Sequence, residues 1–233
     1  MGLLDELRRQ ADGIRDDARG ARQRREENLA ATESAAARMF KYFVDLFKQL
    51  EVIRPANPTA YAIPHFGTLE GLKLAEAFAD YRRKMLGDRQ VYDYLSFMIT
   101  WAAEPPMVVT RDMPNTVKAA RDALWQYGLR AVEEEVRLPG AGTQKVVFTL
   151  PRKLVTHMTV TVNYEDATLD VATRNLMRLG QDDFRFPAAS VTETLVEELA
   201  RATLGQRSTL ARYRTVLPAR GLQATGRHQV TDL

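Results

Sequence analysis

The feature that most constrains this chain is a long stretch at its amino end that nothing prevents from being helical. From Leu3 to about Val52 the sequence has no proline, and its glycines are Gly13 and Gly20. Proline and glycine are the residues that most disfavour a helix interior, so the stretch predicts one continuous helix of about fifty residues and about 75 Å. A compact domain made of the remaining residues has a radius of gyration of about 16 Å. We therefore expect the helix to extend beyond its own domain.

The first half of this helix carries a thin apolar seam. Its members repeat at alternating spacings of three and four residues, the pattern of a coiled coil; they are Leu4, Leu7, Ala11, Ile14, Ala18 and Ala21. After Arg25 the phase slips by one residue, as in a four-residue stutter, and the run resumes at Leu29. Because half of the seam is alanine, it predicts weak association. A solvated helix held by charge pairs such as Arg22 with Glu26 is an equal alternative.

The helix changes character near Ala35. Large apolar side chains then fall within an arc of about 160° at 100° per residue; they are Met39, Phe40, Phe43, Val44, Leu46, Phe47 and Leu50. Each such side chain stabilises a protein by roughly 1.5 to 3 kcal/mol when it is buried. We expect this aromatic stripe to pack on the rest of the chain rather than on a second copy.

Three prolines in "RPANPTAYAIP" end the helix. Residues 73–85 fit either a strand or a helix, and the Gly-Asp turn that follows them favours a strand. The segment "MPNTVKAARDALWQYG" predicts a helix that is capped by Asn115 and ended by Gly128. A last helix begins at a capping box formed by Ser190 and Glu193.

Between these two helices the sequence predicts short strands joined by short turns, which forces antiparallel pairing. One of the predicted turns is "PRK" at 151–153, between "TQKVVFTL" and "LVTHMTVTVN". Along 154–163 the side chains alternate between an apolar and a largely polar face. Thr156, Met158, Val160 and Val162 form the first face, and Val155, His157, Thr159, Thr161 and Asn163 form the second.

These patterns together predict an α+β protein. Its sheet is antiparallel and has six to eight strands, with helices packed on one face and water on the other. Three regions follow from the boundaries above: a coiled-coil-like helical stalk at 1–34, a domain at 35–204 that includes the aromatic end of the first helix, and a flexible basic tail at 205–233.

The sequence lacks the motifs of the common enzyme classes. It contains no cysteine, which excludes disulfides, thiolate metal sites and cysteine nucleophiles. Its histidines, His65, His157 and His228, have no histidine or carboxylate partner at the short spacing of a local metal site. It shows no glycine-rich phosphate loop and no serine in a nucleophile-elbow context. We expect no catalytic residues, no metal site and no cofactor.

The basic charge is concentrated in the tail, because residues 204–233 carry five arginines against Asp232 alone. A cationic tail can neutralise phosphates, and a tyrosine between arginines can stack on a base. The candidate polyanion-binding residues are Arg207, Arg212, Tyr213, Arg214 and Arg220. Five arginines in thirty residues is a low density, so nucleic-acid binding is not the favoured function. With no long apolar run and no secretory signal, we expect a cytoplasmic protein without a membrane partner.

The leading hypothesis is a non-enzymatic interaction or scaffold protein that self-associates, or docks a protein partner, through residues 1–34. The first alternative is an accessory protein that binds nucleic acid or another polyanion through its tail. The second alternative is an enzyme or small-ligand binder that uses the polar sheet face. A deep pocket that contains His157 beside an acidic residue would favour this second alternative.

Overall fold

The structure is a computed structural model, and it describes residues 2–137 and 144–213. The helices are α1 (Leu3–Ile53), α2 (Pro114–Tyr127) and α3 (Glu193–Thr203), with short 3-10 turns at Ala188–Ser190 and Leu210–Tyr213. The strands are β1 (Tyr61–Ile63), β2 (Gly67–Leu69), β3 (Lys73–Leu86), β4 (Arg89–Arg111), β5 (Val132–Arg137), β6 (Gln144–Asn163), β7 (Thr168–Arg174) and β8 (Gln181–Pro187).

β1 and β2 form a separate hairpin, and the other strands form one antiparallel sheet of six strands. The sheet order is β3-β4-β6-β7-β8, and β5 also pairs with β6. The α+β fold predicted from the sequence is confirmed, with a strand number at the low end of the expected range. The segment at 73–85 is strand β3, as the turn after it indicated.

The aromatic end of α1 packs on one face of the sheet, as its stripe predicted. Met39 and Phe43 have no exposed surface, and the Phe43 ring centroid lies 4.4 Å from that of Phe97 on β4. The apolar sheet face beneath this helix comes from alternate residues of the paired strands; it includes Leu95, Phe97, Ile99, Trp101, Leu154, Met158, Val160, Leu169, Val171, Phe184 and Phe186. α3 packs beside α1 over this face, and Arg38 of α1 donates a hydrogen bond to the Val191 carbonyl.

β6 is one strand of 20 residues, and the turn predicted at 151–153 is wrong. β4 runs beside both halves of β6 and holds them in line. At Pro151 the pairing moves from Ala103 with Arg152 to Met107 with Leu150, so the proline lies in an irregularity of the ladder. A proline is tolerated there because no regular ladder hydrogen bond is required of it.

Two helix caps also differ from the sequence prediction. α2 begins at Pro114 after Met113, and Asn115 lies inside the first turn, because proline is favoured at the first helical position. The cap of α3 is Thr192, whose hydroxyl accepts a hydrogen bond from the Leu195 N–H at 3.3 Å. The predicted capping box at Ser190 is therefore displaced by two residues.

The second face of the sheet is open, and the predicted alternation along 154–163 is confirmed. His157 lies half-buried on this face, with Nε2 at 2.9 Å from the Ser96 hydroxyl oxygen. Arg174 of β7 is its direct cross-strand neighbour. Burial lowers the pKa of His157, and the positive charge of Arg174 lowers it further. Both effects favour the neutral imidazole in the folded protein.

This lowered pKa makes the stability of the protein depend on pH. Above the unfolded pKa of about 6.5 the ring is neutral in both states, and its contribution to stability is fully present. As the pH falls through the lowered folded pKa, the unfolded chain binds the proton first, so stability is lost. We expect the free energy of unfolding, measured in urea, to fall less between pH 7 and pH 5 for His157→Gln than for the native protein.

The carboxyl groups whose pKa values are lowered, Asp93 and Glu198, titrate below this window and affect both proteins equally. An equal loss of stability in the two proteins between pH 7 and pH 5 would contradict the assignment to His157.

Candidate interaction site

The first half of α1 extends away from the body of the protein, which we define as residues 35–213. None of the described side chains before Thr32 is buried, and Thr32 itself is fully buried. The large members of the seam are open to solvent: Leu4 is 69 % exposed, Leu7 50 % and Ile14 70 %. Asn28 contacts the body, since its side-chain amide donates a hydrogen bond to the Glu165 carbonyl at 3.2 Å.

A cleft of about 840 Å³ lies where the helix meets the body, and we call it the root cleft. α1 forms one wall, the β3–β4 hairpin tip the second, and the β6–β7 turn the third; its lining residues are Arg22, Arg25, Glu26, Leu29, Leu86, Asp88, Arg89, Tyr164 and Glu165. From Ala21 the seam continues through Arg25 and Leu29 at steps of four residues, and it ends at the buried Thr32. The exposed seam therefore leads directly into the root cleft.

A cluster around Glu33 fixes the helix beside this cleft. The Glu33 carboxylate accepts hydrogen bonds from the Tyr92 N–H at 2.8 Å and from the Tyr164 hydroxyl. The Tyr164 hydroxyl oxygen also lies 2.7 Å from the Tyr92 carbonyl oxygen. Burial, and then the hydrogen bond and charge of Glu33, raise the pKa of Tyr164, so its hydroxyl remains a donor. The cluster joins α1, β4 and the β6–β7 turn at one point.

The hairpin wall of the cleft is braced by paired charges. Arg82 and Lys84 of β3 both pair with Asp93 of β4, with Lys84 Nζ at 3.1 Å. The hydrogen bond from Arg82 is the main cause of the lowered pKa of Asp93. The Arg83 guanidinium lies over the Tyr92 ring, 4.7 Å from its centroid. Exposed ion pairs are individually weak, at about 0 to 1 kcal/mol, so they orient the hairpin more than they stabilise the fold.

The tail residues predicted to bind polyanions are not brought together by the described structure. Arg207 and Arg212 are exposed, and the Tyr213 ring contacts Phe186 with centroids 5.8 Å apart. Arg214 and Arg220 lie outside the described residues. Leu210 is fully buried and the Thr209 N–H donates to Glu198, so the start of the predicted tail packs on α3. Polyanion binding through the tail stays a prediction.

Sequence reasoning identified the seam but not the root cleft or the Glu33 cluster. Glu33 stands in an alanine-rich stretch, and its partners are 59 and 131 residues away. No local pattern identifies such a set.

In the residues that the structure describes, no group of three or more His, Asp and Glu side chains is arranged to hold a metal ion. None of the helices in this part of the chain combines the length and the apolar character that crossing a membrane requires. The chain matches no protein-family model, and the comparisons with curated proteins and solved structures found no match. Inference about function therefore rests on the geometry.

The Glu33 cluster predicts a measurable contribution to stability. Glu33→Ala leaves the Tyr92 N–H and the Tyr164 hydroxyl without their carboxylate acceptor, and we expect it to lower the free energy of unfolding by about 1 to 3 kcal/mol. Glu27→Ala is the matched control, because Glu27 is exposed on the same helix; we expect it to change stability by less than about 0.5 kcal/mol. Equal effects of the two substitutions in urea unfolding would show that the cluster does not fix the helix.

Proposed function

We propose that the protein is a non-enzymatic interaction protein that self-associates through its stalk, with two copies of residues 4–21 paired antiparallel. The observation that supports this most is the exposed seam on a helix that extends away from the body. Stalk helices without tertiary packing are only marginally stable in water, because helical stability in proteins comes chiefly from a packed apolar face. A partner helix would supply that packing for Leu4, Leu7 and Ile14.

The sizes of the seam residues favour the antiparallel direction. With Leu4 placed opposite Ala21 of the second copy, Leu7 falls opposite Ala18. In the same alignment Ile14 falls opposite Ala11, so each layer combines one large and one small side chain. In a parallel pair every residue would face its own copy, which gives three layers of two large side chains, at Leu4, Leu7 and Ile14, and three layers of two alanines. Layers of equal volume let two helices remain at one separation, as close packing requires.

The position of the body supports the same direction. At 100° per residue, the mean direction of the seam lies within about 30° of the buried face of α1. The body therefore sits on the side of the helix where the partner helix would lie. A parallel pair would place both bodies between the two helices, whereas an antiparallel pair places them at opposite ends.

In this arrangement the amino end of the second helix reaches the root cleft, because its Leu4 lies beside Ala21. The cleft offers apolar contacts from Leu29 and Leu86. The cleft is also lined by three carboxylates and three guanidinium groups, and the guanidinium groups can pair with Asp5 and Glu6 in the first turn of the second helix.

One feature opposes the association. Arg8 and Arg15 both lie along the same edge of the seam. In the antiparallel pair, Arg8 faces Arg15 of the second copy. Like charges at such positions destabilise by a few tenths of a kcal/mol each, and salt screens them. The association is accordingly weak and strengthens as the ionic strength rises.

The absence of native cysteine makes a direct test simple. Leu4→Cys protein is mixed with Ala21→Cys protein and oxidised in about 0.3 M salt, which screens the arginines. We expect disulfide-linked dimers in the mixture but not from either protein alone, because two Leu4 positions are about 25 Å apart in the antiparallel pair. The matched control is a mixture of Arg9→Cys and Asp16→Cys, which occupy the same layer on the outer side of the helix and should not cross-link.

Dimers from Leu4→Cys alone would show a parallel pair and contradict the proposed direction. If no mixture cross-links, and light scattering of the native protein at the same concentration and salt gives the monomer mass, self-association through the stalk is wrong.

A further inference from the structure

β6 changes its partner along one edge, and this opens a gap in the sheet. On one side β4 follows β6 along nearly its whole length. On the other side β5 pairs with residues 144–149 and β7 with residues 157–163. In the part of the chain that the structure describes, residues 150–156 have no strand partner on that side. Asn175 substitutes in part, since its side-chain amide donates to the Val155 carbonyl at 3.1 Å.

A cavity of about 430 Å³ lies at this gap, and we call it the notch. The residues that follow α2, from Gly128 to Arg130, form one wall, and the end of β7 forms another. Much of the lining is apolar; these residues are Met98, Leu129, Leu150, Pro151, Leu154 and Val155. The notch is thus suited to an apolar group of moderate size.

The charged residues of the notch are all basic. Arg130, Lys153 and Arg174 line it, and among the described residues no Asp or Glu does. Within the described ranges none of these three cations forms an ion pair with a carboxylate, although other arginines do so on the same sheet; Arg185, for example, pairs with Asp170 at 2.5 Å. Three cations around one cavity attract an anion, because no carboxylate in the lining offsets their charge.

Arg174 is held in place at the notch. Its Nη2 donates to the Tyr127 carbonyl at 3.2 Å, at the carboxyl end of α2, where a cation is favourable. A side chain at residue 128 would collide with it, because a Cβ atom there would lie 2.5 Å from Arg174 Nη2. Gly128 therefore permits the guanidinium to lie at this position, and most of its N–H donors remain available to a ligand.

A pocket that contains His157 beside an acidic residue would favour an enzyme, and the notch can be compared with that expectation. His157 does line the notch, but its charged neighbour is Arg174. A neutral imidazole beside a guanidinium has no carboxylate to orient it as a catalytic base. The arrangement suits binding rather than acid–base chemistry.

We propose that the notch binds a small organic phosphate, a phosphate monoester with an apolar or aromatic body. The arginine fork and the lysine charge together are the side chains that recognise phosphate in proteins. A dianion also balances more of the positive charge than a carboxylate does. The apolar body of the ligand lies against Met98, Leu150 and Leu154.

The test uses the full chain and phenyl phosphate as the probe, measured by isothermal titration calorimetry. We expect phenyl phosphate to bind more tightly than inorganic phosphate, which lacks the apolar body, and benzyl alcohol, which lacks the charge, not to bind. Lys153→Met and Arg130→Met should each lower the affinity for phenyl phosphate by about tenfold, which corresponds to the loss of one charge-assisted hydrogen bond. Neither side chain makes a hydrogen bond within the described structure, so both variants should fold normally.

Arg185→Met is the matched control, since Arg185 lies on the same open face but outside the notch, and it should leave the affinity unchanged. The proposal is wrong if phenyl phosphate fails to bind at millimolar concentration. It is also wrong if Lys153→Met and Arg130→Met bind as tightly as the native protein, or if Arg185→Met weakens binding as much as they do. None of these outcomes depends on self-association through the stalk.

Discussion

The contact between the aromatic end of α1 and the apolar face of the sheet holds this protein together. Phe43 packs on Phe97 at the centre of that contact, and the residues around them are almost completely buried. Because α1 is one continuous helix, fixing its last third on the sheet also fixes the direction of its first half. The Glu33 cluster adds a second point of attachment, so the direction in which the helix leaves the core is set by two contacts.

The sequence was informative where one local pattern decided the structure. The uninterrupted helix, its aromatic stripe and the alternation along 154–163 each follow from periodicity, because a period of 3.6 or 2 places apolar side chains on one side. The turn at 151–153 was predicted wrongly since proline and basic residues are typical of turns. The long strand β4 overrides that local preference by pairing with β6 on both sides of Pro151.

The candidate sites were predictable only in part, for a related reason. The seam is a local repeat and is visible in the sequence. The root cleft requires the β3–β4 hairpin and the β6–β7 turn to reach the same helix, and the notch requires β6 to exchange β5 for β7. Both arise from how distant strands pair, so residues such as Lys153 and Arg174 look like ordinary surface charges in the sequence. The predicted basic residues of the tail remain without a structural role in the part of the chain that the structure describes.

One half of α1 belongs to the core, and we propose that the other half is an association surface. Amide hydrogen exchange along α1, measured in dilute and in concentrated protein, distinguishes the two halves. We expect residues 36–50 to be protected at every concentration. We expect residues 4–21 to exchange quickly in dilute protein and to become protected when the protein is concentrated. Protection of residues 4–21 that does not change with concentration, or rapid exchange of residues 36–50, would contradict it.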